Sequence, residues 1–292
     1  MKTQIQATII ATIFIFSTTL ASAGGGWPQP KGKGYFKLSE WWLVSDQHYT
    51  DQGLIDPNIT TGIFNTSIYA EYGFTDRLTG IVYFPFFSRS FNNNQISATT
   101  GETLLEGEAI NSIGDTDISL KYGITKPGSK VAISASVLFG LPIGKDSGGT
   151  QGNLQTGDGE FNQFARIDAS TSFNLSDNVP AYISLYGGVN NRSNDFSDEL
   201  RLGAEFGLAI FNQKLWLNGK LNIVDSFENG IPSGLSNSTS LFANNAEFTN
   251  LTFEAAYNIS DSFGVSASYG TALSGKIILA SAAYSVGVYT NF

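Results

Sequence analysis

The chain has 292 residues, of which 41% are hydrophobic, 13% aromatic and 14% charged. This composition excludes a disordered chain, because 22 Phe, 12 Tyr and 4 Trp supply ample apolar surface for a folded core. A formal charge of −9 disfavours nucleic acid as a partner. The absence of cysteine, together with a single histidine, His48, excludes thiolate and multi-histidine metal sites, so we predict no metal and no cofactor.

The N-terminus predicts a secretory signal peptide over residues 1–23. Lys2 precedes an apolar run over residues 9–20, and Ala21-Ser22-Ala23 has the small-x-small pattern of a cleavage site. The run is shorter than the roughly 20 apolar residues that a membrane-spanning helix needs. We therefore expect export and cleavage near Ala23.

Residues 24–34 follow the predicted cleavage site and are rich in Gly and Pro, with two lysines. Such a composition favours a flexible periplasmic tail. The alternative is that this segment folds into the interior of the protein as a plug.

From residue 35 onward, apolar and polar residues alternate with a period of two, which predicts β-strands. The C-terminal segment is the clearest example, with Tyr284, Val286 and Val288 on one face and Ser285 and Gly287 on the other. Twelve strands are predicted, at residues 35–48, 63–74, 78–87, 116–124, 131–141, 161–175, 181–190, 199–211, 215–225, 248–259, 263–272 and 277–291.

The connections between these strands alternate in length. Short turns are expected at 75–77, 126–129, 176–178, 212–214 and 260–262. Longer loops are expected at 49–62, 88–115, 142–160, 191–198 and 226–247, with 273–276 as a short exception. This alternation is typical of bacterial outer-membrane barrels, with short periplasmic turns, long extracellular loops and both termini on the periplasmic rim. We therefore predict an all-β fold in which residues 35–292 form a closed antiparallel transmembrane β-barrel of about 12 strands.

Charged residues in strands two to twelve lie almost wholly on the less apolar face. A lipid-facing Lys or Arg costs roughly 2–4 kcal/mol at the bilayer midplane, so charges are expected to point into the lumen. We hypothesise that acids and bases face each other across the pore; the alternative is a salt-bridged interior that plugs the barrel. The predicted pore-lining residues are Glu71, Lys121, Arg166, Asp168, Arg201, Glu205, Lys220 and Glu254.

Two further patterns concern the membrane and assembly. Aromatic residues on the apolar face gather near the short turns and predict a periplasmic girdle at Phe74, Tyr122, Phe173, Tyr257 and Phe263. The chain ends on Phe292 after an alternating apolar segment, which resembles the C-terminal signal read by the barrel assembly machinery.

The first strand is the exception to regular alternation. Lys37, Glu40, Trp41 and Trp42 do not separate cleanly into an apolar and a polar face. The register of this strand is therefore left open.

Two groups of short motifs carry a family resemblance. The first is Gly114-Asp115 followed by Leu120-Lys121-Tyr122; the second is Leu141-Pro142-Ile143-Gly144 with a later Thr156-Gly157-Asp158-Gly159 turn. With these motifs the sequence resembles the outer-membrane barrels named for the meta-pathway of phenol degradation. The resemblance implies a porin-like or transporter protein that passes aromatic or hydrophobic compounds.

The predicted function is an outer-membrane channel or transporter of a Gram-negative bacterium, in contact with membrane lipid and a small solute. Twelve strands about 4.8 Å apart and tilted about 40° close to a diameter of roughly 24 Å, which leaves a lumen on the order of 10 Å. No catalytic residue is predicted. Two alternatives remain: a structural or adhesive barrel that acts through its loops, and a lipid-hydrolysing barrel that uses His48.

Most of the acidic residues outside the predicted strands lie in the long loops. Glu102, Glu106 and Glu108 form the densest group and predict an acidic outer mouth. Such a mouth would enrich cations or bind divalent ions; ordinary solvation of the loops is the alternative.

Overall fold

The computed structural model describes residues 25–97, 99–231 and 242–292, so the predicted signal peptide lies outside the described residues. Every regular element in these ranges is a β-strand, and no described helix could cross a membrane. The strands are β1 (Gly34–Tyr49), β2 (Ile55–Gly73), β3 (Leu78–Asn92), β4 (Gln95–Ile96), β5 (Thr103–Leu105), β6 (Glu108–Ser112), β7 (Thr116–Gly123), β8 (Val131–Leu141), β9 (Asn162–Ser176), β10 (Val179–Arg192), β11 (Glu199–Ile210), β12 (Leu215–Ser226), β13 (Glu247–Asn258), β14 (Phe263–Lys276), β15 (Ile278–Leu279) and β16 (Ala283–Asn291).

These strands close into one antiparallel barrel, because β1 pairs with β2 on one side and with β16 on the other. β6 and β7 both pair with β3 and share one position in the wall, and β15 and β16 share another beside β1. β4 and β5 form a separate two-stranded hairpin. The wall therefore has twelve strand positions, and the prediction of an all-β, twelve-stranded barrel is confirmed.

Four predicted boundaries are wrong. The predicted short loop 273–276 belongs to β14, which continues to Lys276. The predicted loop 49–62 contains the start of β2, and the predicted loop 88–115 contains the end of β3 together with β4, β5 and β6. The added parts of β2 and β3 are rich in polar residues, among them Asp56, Asn58 and Arg89, so they carry no clear period-two signal. The last predicted strand, 277–291, is interrupted between Leu279 and Ala283. There the facing strand β1 is irregular between Ser45 and Gln47.

The start of β1 and the C-terminal residue lie on the rim that carries the short turns. The Gly34 amide donates to the Phe292 carbonyl over 2.9 Å, and the Phe292 amide donates back to the Gly34 carbonyl over 3.1 Å. The remaining long connections lie at the opposite rim. The predicted alternation of short turns and long loops is thus confirmed.

The two faces of the wall differ as the period-two pattern requires. Outward side chains such as Leu120, Tyr122 and Phe253 are apolar and exposed. Inward positions are small and polar, and Ser134 and Thr79 are fully buried. The predicted girdle residues are likewise exposed at the rim of the short turns, namely Phe74, Tyr122, Phe173, Tyr257 and Phe263.

The structure defines the register of the first strand. Tyr35 stacks on Tyr289, and Lys37 reaches Glu254, so odd positions of β1 face the lumen. Even positions, including Leu38 and Glu40, therefore face outward. Glu40 lies on the apolar outer wall and accepts a hydrogen bond from Thr66 on β2. This neighbouring hydroxyl offsets part of the desolvation cost of a carboxylate on that surface. It explains how β1 can carry a charged residue on its outer face, where the other strands were expected to have none.

Candidate functional site

The barrel lumen contains the candidate site. Inward-facing positions of β2, β7, β9, β11, β12 and β13 carry all eight residues predicted to line the pore. The members of this set are Glu71, Lys121, Arg166, Asp168, Arg201, Glu205, Lys220 and Glu254.

Most of these charges pair with near neighbours in the wall. Arg166 donates through Nε and Nη2 to Asp168, which lies two residues further along the same strand. Lys220 Nζ lies 3.0 Å from Glu254 Oε2 on the adjacent strand. On β1, Lys37 Nζ lies 3.4 Å from the other oxygen of Glu254. Sequence reasoning missed Lys37 because β1 alternates irregularly.

Residues 25–33, here called the N-terminal segment, enter the lumen from the periplasmic rim. The Lys121 ammonium donates to the Gly25 carbonyl over 2.8 Å, and the Gly26 amide donates to Ser170 Oγ over 2.7 Å. Trp27 meets the Tyr182 ring edge-on, with 5.9 Å between the ring centroids. Lys121, one of the predicted pore-lining charges, is therefore engaged by the chain's own backbone.

The segment then returns to the rim along β2 and β3. The Gln29 amide nitrogen donates to Thr79 Oγ1, and its side-chain Nε2 donates to Glu71 Oε2, both over 2.8 Å. Tyr69 donates its hydroxyl to the other oxygen of Glu71. The Lys31 amide donates to Asp76 Oδ1 over 3.0 Å at the turn between β2 and β3.

Glycines at the strand ends allow this close approach. A Cβ at Gly73 would lie 2.1 Å from the Pro30 carbonyl oxygen, and one at Gly123 would lie 2.8 Å from Pro28 Cγ. Real Cβ atoms do not approach other atoms so closely. The sequence contains these glycines, but only the register places them opposite residues of the N-terminal segment.

A cavity of about 820 Å³ opens beside the N-terminal segment at the periplasmic rim. Trp27 and Pro30 of the segment form one side, and Phe292 lies at the seam of the barrel. Exposed lysines, among them Lys33 and Lys126, contribute to the lining. The cavity is a vestibule between the lumen and the periplasmic side.

Several motif residues that carry the family resemblance meet at the other end of the lumen, whereas Lys121 lies at the periplasmic end beside Gly25. Asp115 accepts the amide of Gly144 on Oδ1 over 2.9 Å and the amide of Asp158 on Oδ2 over 2.8 Å. Gly157 packs against the Asp115 carboxylate, where a Cβ would lie 2.2 Å from Oδ1. The Gly114 amide donates to the carbonyl of Pro85 over 2.7 Å, and Pro142 lies in the same loop as Gly144. These contacts fasten the loop 142–160 to the barrel wall.

Burial changes the pKa values of the acids that join the loop 142–160 to the barrel wall. Burial raises the pKa of Asp115 to about 6, and it also raises the pKa values of Asp158 and Glu160. Arg192 contacts Glu160 at 2.7 Å, Glu199 at 2.8 Å and Asp158 at 3.3 Å. One guanidinium therefore joins the loop 142–160 to β10 and β11. Arg192 lies at the end of a strand, where alternation does not mark it.

The predicted acidic mouth does not form a cluster of ion ligands. Glu102 and Glu106 are exposed, while Glu108 accepts hydrogen bonds from the amide and hydroxyl of Thr150. In residues 25–97, 99–231 and 242–292, no group of three or more His, Asp or Glu residues is arranged to hold a metal ion.

His48 lies near the outer end of β1, opposite Asp56 of β2 and Leu279 of β15. Its Nδ1 is buried and has no hydrogen-bond partner among the described residues. His48 Nδ1 therefore forms no hydrogen bond with a carboxylate or hydroxyl group among the described residues.

No protein-family model matches the sequence, and no protein with a curated function is significantly similar to it. Solved structures share its architecture. The COG4313 outer membrane channel from Pseudomonas putida F1 has a TM-score of 0.57 and 16% identity, over 93% of this chain and 99% of that chain. The β domain of the Bordetella autotransporter BrkA has a TM-score of 0.50 and 12% identity, over 90% and 100% of the two chains. The protein thus has the closed antiparallel fold of outer-membrane β-barrels.

Proposed function

We propose that the protein is an outer-membrane channel that passes a small solute by diffusion. One observation carries the proposal: charged side chains inside the closed wall keep access to solvent. Arg166, Lys220 and Arg201 retain 26%, 28% and 31% of their side-chain exposure. A salt-bridged plug that filled the lumen would shield these groups from water and pair each of them, because burying an unpaired charge costs free energy. The partial exposure supports a lumen that admits water and small solutes.

The outer surface supports membrane insertion. Exposed apolar side chains such as Leu185 and Ile167 cover the wall and match the hydrocarbon region of a bilayer. Cleavage near Ala23 and recognition of Phe292 by the barrel assembly machinery would deliver the chain to the outer membrane. The family resemblance suggests an aromatic or hydrophobic solute.

The N-terminal segment defines the narrow end of this channel. It binds the wall through Lys121, Ser170, Glu71 and Thr79, so it occupies part of the periplasmic exit. Solutes would leave beside it through the vestibule lined by Trp27 and Phe292.

Liposome swelling tests the proposal. Liposomes that contain the folded full chain are diluted into iso-osmotic arabinose or into iso-osmotic dextran. We expect swelling in arabinose and none in dextran, since the lumen is on the order of 10 Å wide. Equal behaviour of liposomes with the folded and the heat-unfolded protein in arabinose would contradict the channel function.

A further inference from the structure

Two arginines share one row of the inner wall. Gly188 of β10 is the register partner of Arg166 on β9 and of Arg201 on β11. The two Cα atoms are therefore two strand spacings, about 10 Å, apart. Both side chains project into the lumen from the same height.

Each guanidinium contacts its acidic partner through one edge only, the edge formed by Nε and Nη2. Arg166 donates through Nε over 3.0 Å and through Nη2 to Asp168. Arg201 donates through Nε over 2.7 Å to Glu199, and its Nη2 lies 2.5 Å from the same carboxylate oxygen. Neither Nη1 makes a hydrogen bond with any described residue. An arginine has five N–H donors, so each keeps an unused edge.

The arginines and their acids differ in access to the lumen. The Asp168 side chain is fully buried and that of Glu199 is 7% exposed, whereas the guanidinium side chains are 26% and 31% exposed. The negative charges thus lie behind the positive ones. At this row of the wall, a solute therefore meets the N–H donors before the carboxylate oxygens of Asp168 and Glu199.

Aromatic rings hold both guanidinium groups in place. The Arg166 guanidinium lies 4.3 Å from the centre of the Tyr186 ring, and that of Arg201 lies 5.4 Å from the centre of the Phe164 ring. Gly188 leaves the wall between them without a side chain. A Cβ there would lie 2.6 Å from Arg166 Cβ and 2.7 Å from Phe164 Cε2.

We propose that Arg166 and Arg201 form a binding site in the lumen for small organic carboxylates. The planar fork of N–H donors fits a carboxylate, which can accept two hydrogen bonds from one arginine. The inference rests on the proposed channel function, and it adds the chemical class of the solute.

The test measures binding and conductance separately, with benzoate as the probe and neutral benzamide as its matched control. Equilibrium dialysis of the detergent-solubilised full chain should show binding of benzoate and at least tenfold weaker binding of benzamide. In planar bilayers, benzoate should reduce the ion current at concentrations where benzamide has no effect. Equal binding of both compounds would overturn the proposal.

Variants test whether Arg166 and Arg201 are responsible for benzoate binding. R166Q/R201Q should weaken benzoate binding at least tenfold, and R166K/R201K, which keeps the charge but removes the fork, should fall between it and the wild type. The control R77Q/K214Q removes the same charge at two periplasmic turns and should bind benzoate like the wild type. If R166Q/R201Q fails to fold, R166Q/D168N, which leaves no carboxylate unpaired, should also weaken binding. A folded R166Q/R201Q or R166Q/D168N variant that binds benzoate as tightly as the wild type would overturn the proposal.

The two proposals fail in different ways. Selective benzoate binding without any ion current would contradict the channel function and leave the site standing. Ion current without selective benzoate binding would contradict the site and leave the channel standing.

Discussion

Single hydroxyl and amide donors stabilise the charged groups of the lumen. Tyr182 is the clearest case, because its hydroxyl contacts Glu205 and lies 3.2 Å from Asn218 Oδ1, while its ring packs between Trp27 and Trp216. Glu205 is half-buried, and a carboxylate shielded from water loses stability when its donor is removed. The stability of the lumen therefore depends on individual side-chain atoms.

Replacement of Tyr182 by Phe tests this dependence. The change keeps the ring and removes the hydroxyl, so the free energy of unfolding should fall by about 1–3 kcal/mol. The measurement is the urea midpoint in detergent micelles. Y257F is the matched control, because the Tyr257 ring is 44% exposed on the outer wall, and its midpoint should not change. An unchanged midpoint for Y182F would contradict the role given to its hydroxyl.

Protonation of Asp115 should stabilise the fold at low pH. The pKa of Asp115 is about 6 in the folded protein and 3.8 by its ordinary value, because burial disfavours the charged form. The folded state therefore binds a proton more tightly, and the resulting stability is complete below about pH 4 and lost as the pH rises through 6. The free energy of unfolding, obtained from urea titrations, should be higher at pH 5.0 than at pH 7.5 by on the order of 1 kcal/mol after solvent screening.

The variant D115N separates Asp115 from the other acids. It has no titrating group at this position, so the difference between the two pH values should shrink. D51N, in the exposed turn between β1 and β2, should keep the wild-type difference. A D115N protein with the full wild-type pH dependence would show that other groups cause it.

At the scale of elements, the ladder between β3 and β7 is interrupted. Pairing stops at Tyr83 and resumes on β6 at Ser88, and the Gly114 amide bridges the interruption by donating to Pro85. A Cβ at Gly114 would lie 2.8 Å from both Pro85 Cγ and Ser88 Oγ. Only glycine fits here without displacing the wall.

G114A should therefore lower the free energy of unfolding by about 1–3 kcal/mol, the usual cost of overpacking. G219A is a matched control in another strand, because the nearest atom to a Cβ at Gly219 is 3.9 Å away. Its stability should stay at or slightly above that of the wild type. Urea midpoints measure both effects, and equal midpoints for the two variants would contradict the close packing at Gly114.

The strands that could be predicted from the sequence are those whose outward side chains are apolar and whose inward side chains are small or polar. The bounds of β8, 131–141, match the prediction because Val131, Val137 and Phe139 alternate with inward serines. The first part of β2 lacks this alternation and was not predicted. The N-terminal segment also lacks periodicity, because Gly and Pro dominate it.

The alternation of apolar and polar positions predicted which charged residues face the lumen, but it could not predict their partners. Lys121 was expected to face an acid across the pore, and its ammonium instead donates to the Gly25 carbonyl. Partners depend on strand register and on side-chain conformation, and a period-two pattern contains neither. For the same reason, the convergence of Asp115 with Gly144 and Asp158 could not be read from their spacing.

At the scale of the whole molecule, the barrel closes at the seam between β1 and β16. The final residue contributes twice, because its backbone pairs with Gly34 and its ring lies over the same glycine. Closure gives β1, the first long strand, a partner on both sides. The C-terminus is therefore part of the closure as well as the expected recognition signal for assembly.

F292A should reduce the amount of folded barrel in the outer membrane of expressing cells several-fold. Heat-modifiable migration on gels measures the folded fraction. F263A is the control, because Phe263 is an exposed aromatic residue at the same rim that does not end the chain. Equal folded fractions for F292A and the wild type would contradict the assembly role.

The central claim is that the lumen conducts and that the N-terminal segment narrows its periplasmic end. Single-channel conductance in planar bilayers tests it most directly, with the full chain compared with a variant that lacks residues 25–33. Conductance should increase in the deletion, because the segment contacts Ser170, Glu71 and Thr79 inside the barrel. We predict discrete steps for both proteins, with larger steps for the deletion variant. No steps for either protein, or steps of equal size for both, would contradict the account.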